Sequence, residues 1–442
     1  MEVTNDPVNK GNLRRNKATT FHERVIPRAT FDLQYHFVFS PDHAPNDVRE
    51  MMGKEGEVVS EHSVAKYMND ERPDDTHNDL EEDQFKTVAS VEVHEADMVY
   101  TRLLQISQCY EAMANNNKLL VFTDDMTVKK AFYALIYNSM RTGLVCDSQT
   151  MAITSVLSVT DFIMVLMMLW KYRDNIDDFK GTPLTHEDFK KMDISYIPIK
   201  KWKVMLKGQG NLRPFIHINL TESLFRAVEL LAEHRIHRLP VMDEKTNDCA
   251  YILTHRRILH YLWKHCASLS RPEYMNTTAK ELKIGTWKHV IHAKMATPLI
   301  EVLDMLIDNE ISGLPVLDDK TSMVVEVYTR FDAVSACFSE DIDLGVPVSK
   351  AIEQRAQICG IRRDGVVTAH EDSNMWKLIE TFIEKNVHRI FMTDENKQLK
   401  GIVSLSDVTE YMVLRPATNR QKLINQRIHQ RTIEDIEEME NE

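Results

Sequence analysis

The chain has 442 residues, a net charge of −13 and 43% apolar content. That length allows several domains with real cores, and the acidic balance argues against a general affinity for nucleic acid. The longest apolar run, Phe162 to Trp170, is too short to cross a bilayer, and the first residues lack the apolar stretch of a secretory signal.

Residues 1–110 read as an acidic N-terminal extension, largely disordered. Asp70 to Asp83 carries eight acidic residues against one arginine, and Pro7, Pro27, Pro41, Pro45 and Pro73 break any longer periodicity. Helical spacing between Val99 and Met113 leads into the first folded unit. Four units follow, at 114–174, 211–273, 285–347 and 362–419, each reading strand, helix, strand, strand, helix. In the first, Leu119 to Phe122 is a strand, and Val128, Ala131, Phe132, Leu135 and Ile136 give the helical period. Leu224, Ala227, Val228 and Leu231 do the same in the second, Ile300, Leu303 and Leu306 in the third, and Met375, Ile379, Phe382 and Ile383 in the fourth. The polar stretch 171–205, with lysines at 200, 201 and 203, reads as a surface connection. Residues 420–442 form a charged tail, basic and then acidic.

The units are copies. The closing aspartates Asp147, Asp243, Asp318 and Asp394 stand 96, 75 and 76 residues apart (243 − 147, 318 − 243, 394 − 318). Asp161, Arg257, Asp332 and Asp407, each opening a helix after a strand, repeat at 96, 75 and 75 (257 − 161, 332 − 257, 407 − 332). Two landmarks on one period establish a fourfold internal repeat. A unit of about 60 residues is too small to bury its own faces, so the units pair.

An aspartate at a helix start is commonly a cap. Here, however, hydroxyls flank it: Ser158, Thr160 and Asp161; Thr329 and Asp332; Ser404, Ser406 and Asp407. A carboxylate can accept both hydroxyls of a ribose, and Ser or Thr can donate to phosphate. Recurrence in three copies favours the ligand role over a cap alone. Arg257, at the same place in the second copy, has no acceptor, so that cleft should not hold a nucleoside in the same way. His237-Arg238 and His388-Arg389 share a register, with Arg141 near it in the first copy. Arginine forks match phosphate, although a cation at an exposed helix end is the plainer reading. His255, His260 and His265 fit a helix surface better than a metal site. The six scattered cysteines have no metal-like spacing, which fits a reducing compartment. Phosphate-loop, dinucleotide-binding, zinc-protease and kinase motifs are all lacking.

These motifs, with Lys118 to Phe122, Ile236 to Val241, Tyr251 to His255, Gly285-Thr286 and Lys400 to Val408, resemble CBS (cystathionine-beta-synthase) domains in tandem. The Asp, Arg, Asp, Asp order is closest to the gamma regulatory subunits of AMP-activated protein kinase. The resemblance implies an α/β (α+β) fold, with four repeats forming two pseudo-twofold modules in a disk. It also implies a non-catalytic regulator without cofactor or metal, binding AMP, ADP and ATP competitively and assembling with a catalytic alpha and a scaffolding beta subunit. The expected location is the cytoplasm, with the nucleus second. By position, Asp161, Asp332 and Asp407 would hold ribose. Arg141, His237, Arg238, Arg256, Arg355, His388 and Arg389 would meet phosphate. Ser158, Thr160, Thr286, Ser312, Gly313, Thr329, Arg330, Ser404 and Ser406 would line the pockets, and Ile216, Ile291 and Val367 would flank adenine. The first copy departs from the pattern, reading Arg141 to Asp147 without the usual proline. Glu310 stands where the family often has a base; it either faces the phosphates or points into solvent. These departures motivate an alternative, a structural adaptor with reduced sensing. An enzyme with appended CBS domains is a third reading, and no sequence outside the repeats supports it.

Overall fold

A computed structural model describes residues 93–114, 117–138, 140–172, 197–208, 210, 212–333, 343–359 and 366–419. The acidic run at 70–83 and the tail at 420–442 lie outside the described residues. Four three-stranded sheets share one topology. In the first repeat, β1 (Val121–Thr123) runs through α2 (Val128–Tyr137) into a parallel partner, β2 (Thr142–Cys146), which then pairs antiparallel with β3 (Ile153–Ser158). The second repeat has β4 (Ile218–Asn219), α5 (Leu224–Glu233), β5 (Leu239–Met242) and β6 (Cys249–Leu253). The third has β7 (Ala293–Lys294), α7 (Leu299–Asp308), β8 (Gly313–Leu317) and β9 (Val324–Thr329). The fourth has β10 (Thr368–His370), α9 (Met375–Lys385), β11 (Arg389–Thr393) and β12 (Leu399–Ser404). After the third strand come α3 (Val159–Tyr172) in the first repeat, α6 (His255–His265) in the second and the helix at 405–419, α10, in the fourth.

The closing aspartates make the hairpins. Asp147 Oδ1 accepts from the backbone N–H groups of Gln149 and Thr150, and Asp318 Oδ1 from those of Lys320 and Thr321; Asp243 and Asp394 cap their turns likewise. An aspartate side chain that mimics a backbone turn fixes the loop, so this landmark serves the fold and not the site.

Segments between repeats cross over. α1 (Val99–Ile106) does not lead into the first repeat, as its place in the sequence suggests; it packs on the second and fourth. Ser107 O accepts the N–H of Leu224 at the start of α5, and Thr101 Oγ1 donates to Val413 O at 2.7 Å. Conversely, Ile197 O, just before α4 (Ile199–Gly208), accepts from Val128 in the first repeat. The same exchange joins the other two repeats: Val346 O, before α8 (Val348–Cys359), accepts from Leu299, and Thr277 O accepts from Met375. Each exchange satisfies an N–H that a helix start leaves without an internal partner. It also ties the first repeat to the second and the third to the fourth, giving two intertwined modules.

The segment 199–208 is therefore more than a surface connection. Ile199, Trp202, Met205 and Leu206 are buried, while the lysines at 200, 201 and 203 stay partly or fully exposed. The modules meet through their helices. One apolar core joins the first and third repeats, and the other joins the second and fourth. Burial of that apolar surface is the main force holding the modules together, and it leaves the polar strand ends facing one another at the centre. α6 is also less superficial than its histidines suggest. His255 and His265 are buried, with His265 edge-on to the Tyr261 ring, and only His260 is exposed.

Candidate functional site

One position of the repeat builds the centre. Arg141, His237, Ser312 and His388 stand 96, 75 and 76 residues apart (237 − 141, 312 − 237, 388 − 312), at the entry to the second strand of each unit. All four line a single cavity of about 810 Å³. Arg238, Arg256, Arg330 and Arg389 add cations to its wall. Ser158, Thr160, Thr329, Ser404 and Ser406 add hydroxyls, and Val367 an apolar face. Lys377, Lys385 and Glu384 of α9 also line it. They are absent from the sequence-based set because their helix carries an ordinary amphipathic pattern.

The contacts run between repeats. Arg141 Nη1 lies 3.0 Å from His388 Nε2, joining the first and fourth. An arginine only donates, so His388 accepts through Nε2 and carries its proton on Nδ1. Arg389 Nη2 donates to Ser312 Oγ at 2.6 Å, and Arg330 Nη1 to Thr160 Oγ1 at 3.0 Å. Gly313 makes the Arg389 contact possible: a Cβ there would sit 1.8 Å from Arg389 Nη1.

Burial, and then the surrounding arginines, hold His388 well below the imidazole range. His237 keeps water contact through the cavity, but protein surrounds it on its other sides. Burial first, then His255, Arg238, Arg330 and Arg389, bring it down to about 3. Burial alone takes His255 to about 4; its Nδ1 lies 2.7 Å from Thr409 Oγ1. Arg330 falls to about 10 through burial and the nearby Arg213 guanidinium. The cavity is thus a concentration of fixed positive charge beside neutral histidines, an arrangement that favours a polyanion.

The helix-opening aspartates lie behind the hydroxyls. Oδ2 of Asp161 accepts both the N–H and the Oγ of Ser158, each at 2.7 Å. Asp332 does the same with Thr329, and Asp407 with Ser404. Each carboxylate reaches back three residues, so it closes the first turn without being the N-cap itself. Burial raises the carboxyls of Asp161 and Asp407. Asp332 differs. It is 1% exposed, and its Oδ1 pairs with Arg355 Nη1 at 3.4 Å. Arg355, itself 2% exposed, also donates to Glu326 at 2.9 Å. It is therefore an internal counter-ion away from the cavity, contrary to the phosphate role the resemblance implies. Asp332 is correspondingly closed to a ribose in this structure.

Arg257 is partnered within the protein. Its Nη1 donates to Asn117 Oδ1 at 2.7 Å, and the guanidinium lies 5.0 Å from the Tyr251 ring centre. Thr286 bridges backbone to Ile402, while Ile216 and Ile291 pack against the second and first cores respectively. None of these three lines the central cavity. Glu310 lies at the surface, as the second of its two expected positions has it, but not free in solvent. Its carboxylate is 44% exposed but bridged by Arg213 and Arg235, each at 3.3 Å.

Four copies of one strand–helix–strand–strand unit, interlocked in pairs, thus surround a cationic centre. The CBS domain family model matches residues 211–264, 279–339 and 358–414, and the first repeat, ahead of these ranges, has the same sheet topology. Among characterised proteins, the chain is 33% identical over 320 residues to the Homo sapiens 5'-AMP-activated protein kinase subunit gamma-3, covering 72% of this chain and 61% of the relative. The Sus scrofa gamma-3 subunit is also 33% identical over 320 residues, with 58% of its length covered. The chain thus spans about three fifths of these relatives. A solved structure from Methanocaldococcus jannaschii, proposed as an archaeal homolog of g-AMPK, covers 69% of this chain and is itself covered completely. Its TM-score is 0.54 at 16% identity, which speaks for the fold alone.

Proposed function

We propose that the chain is the nucleotide-sensing regulatory subunit of an AMP-activated protein kinase. It is non-catalytic and assembles with a catalytic alpha and a scaffolding beta subunit in the cytoplasm. AMP, ADP and ATP compete for its central clefts. The observation that carries this reading is the convergence of Arg141, Arg238, Arg330 and Arg389 with His237 and His388 on one cavity. Their forks and ring nitrogens supply the donors a phosphate chain requires, and adjacent hydroxyls add to them. Asp161 and Asp407 each commit Oδ2 to the helix turn, which leaves Oδ1 for ribose. Sensing then follows from differential affinity: exchange of ATP for AMP shifts the assembly only as far as one state binds one nucleotide better.

The second reading, an adaptor with reduced sensing, draws on the closed Asp332 and on Arg257, which pairs with Asn117. Titration of the full chain with AMP, ADP and ATP separates the two. Saturable binding by all three, weakened in Arg389→Gln, supports the sensor; binding by none leaves the adaptor.

A further inference from the structure

Arg235, Glu310 and Asn386 are equivalent residues at the ends of α5, α7 and α9, each in the left-handed region with φ of 49°, 53° and 54°. Two of them meet. Glu310 Oε2 lies 3.3 Å from Arg235 Nη1, joining the third repeat to the second across the boundary between modules. Its other oxygen, Oε1, lies 3.3 Å from Arg213 Nη2, in the segment that enters β4. The charges of Arg213 and Glu310 reach the surroundings of Asp161. Arg213 acts on Asp161 and on Arg330, and Glu310 acts on Arg330. Arg330 in turn donates to Thr160, the neighbour of Asp161. Arg213 and Arg330 therefore bring charge to this cleft from two segments, and Glu310 lies between them and Arg235.

We propose that Glu310 is a resident counter-anion of the Asp161 cleft and sets its selectivity against longer phosphate chains. This rests on the nucleotide-binding reading above. Glu310 holds Arg213 and Arg235 in the way a phosphate oxygen would. An incoming phosphate must take those arginines from it and then lie beside its negative charge. The penalty grows with ligand charge, so it falls harder on a triphosphate than on a monophosphate. All three side chains are at least 44% exposed, so the contact can open without disturbing a core, and the two arginines are available once it opens.

The test is Glu310→Gln in the full chain, with AMP, ATP and inorganic tripolyphosphate titrated at low and high salt. Coulomb's law at about 6 Å in a water-like dielectric gives roughly threefold per ligand charge. ATP, with about two more charges than AMP, should therefore gain about tenfold over AMP at low salt. Tripolyphosphate should gain as ATP does, and the difference should shrink in high salt. Asp161→Ala should remove the gain for ATP, which places it in that cleft. An unchanged ATP-to-AMP ratio, with both nucleotides still binding, overturns this proposal and leaves the nucleotide reading standing. Loss of all nucleotide binding in the parent chain overturns both.

Discussion

Gly313 is the position where a single methyl group should disable the site and spare the fold. An added Cβ would stand 1.8 Å from Arg389 Nη1, 2.9 Å from Arg389 Cζ and 2.9 Å from Thr329 Cγ2. The backbone cannot retreat, because Gly313 pairs with Thr329 in the β8–β9 ladder. The guanidinium can, since it is the far end of a flexible side chain. In Gly313→Ala, Arg389 swings away and gives up its 2.6 Å bond to Ser312. A charge-assisted hydrogen bond is worth about 1.5–3 kcal/mol, so phosphate affinity should fall by about ten- to a hundredfold. Stability should fall by no more than about 1–3 kcal/mol, the usual range for a crowded methyl. Titration with AMP alongside urea unfolding measures both. A double-mutant cycle gives the sharper test: if the glycine acts through Arg389, Gly313→Ala should change little in an Arg389→Gln background. Additive losses would refute the reasoning, as would an Ala variant of parental affinity.

The remaining predictions concern the buried charges and histidines. His255 has its folded pKa lowered to about 4, so the unfolded chain binds more protons between that value and about 6.5; stability is complete above that window and is lost as pH falls through it. The loss should reach about 2 kcal/mol by pH 5, seen as a falling urea midpoint; a His255→Gln variant that follows the parent's pH dependence would exclude this source. Phosphate bound beside His237 and His388 would raise both, so AMP binding should take up protons and tighten as pH falls, which calorimetry in buffers of different ionisation enthalpy detects. Arg355→Met strands the carboxylates of Asp332 and Glu326, one of them fully buried, and should destabilise the chain by about 3–5 kcal/mol. If Arg355→Met melts normally and loses only nucleotide affinity, the residue belongs to the site after all.

Much of this arrangement could be read from the chain. The aspartate spacing marks four copies because one turn-capping aspartate serves each hairpin. The register of Arg141, His237, Ser312 and His388 identifies the central position for the same reason. What could not be read is what distant segments do to one another. α1 and α4 carry an ordinary amphipathic pattern, and nothing local in it says that each completes a repeat other than its sequence neighbour. Arg355 has the charge a phosphate site needs, but only the fold brings Asp332 and Glu326 against it. The hydroxyl-aspartate motif was legible as a pair, yet not as a turn in which one oxygen is already committed. Glu310 is a surface residue by sequence; its two arginine partners come from other segments.

Competition at the central cavity tests the account most directly. Labelled AMP bound to the full chain is displaced by ATP, in the parent and in Arg389→Gln, and read by equilibrium dialysis. The account predicts saturable AMP binding that ATP displaces completely, with both nucleotides weakened by about ten- to a hundredfold in the variant. It is contradicted if AMP binding is not saturable, if ATP leaves bound AMP in place, or if Arg389→Gln retains parental affinity for both.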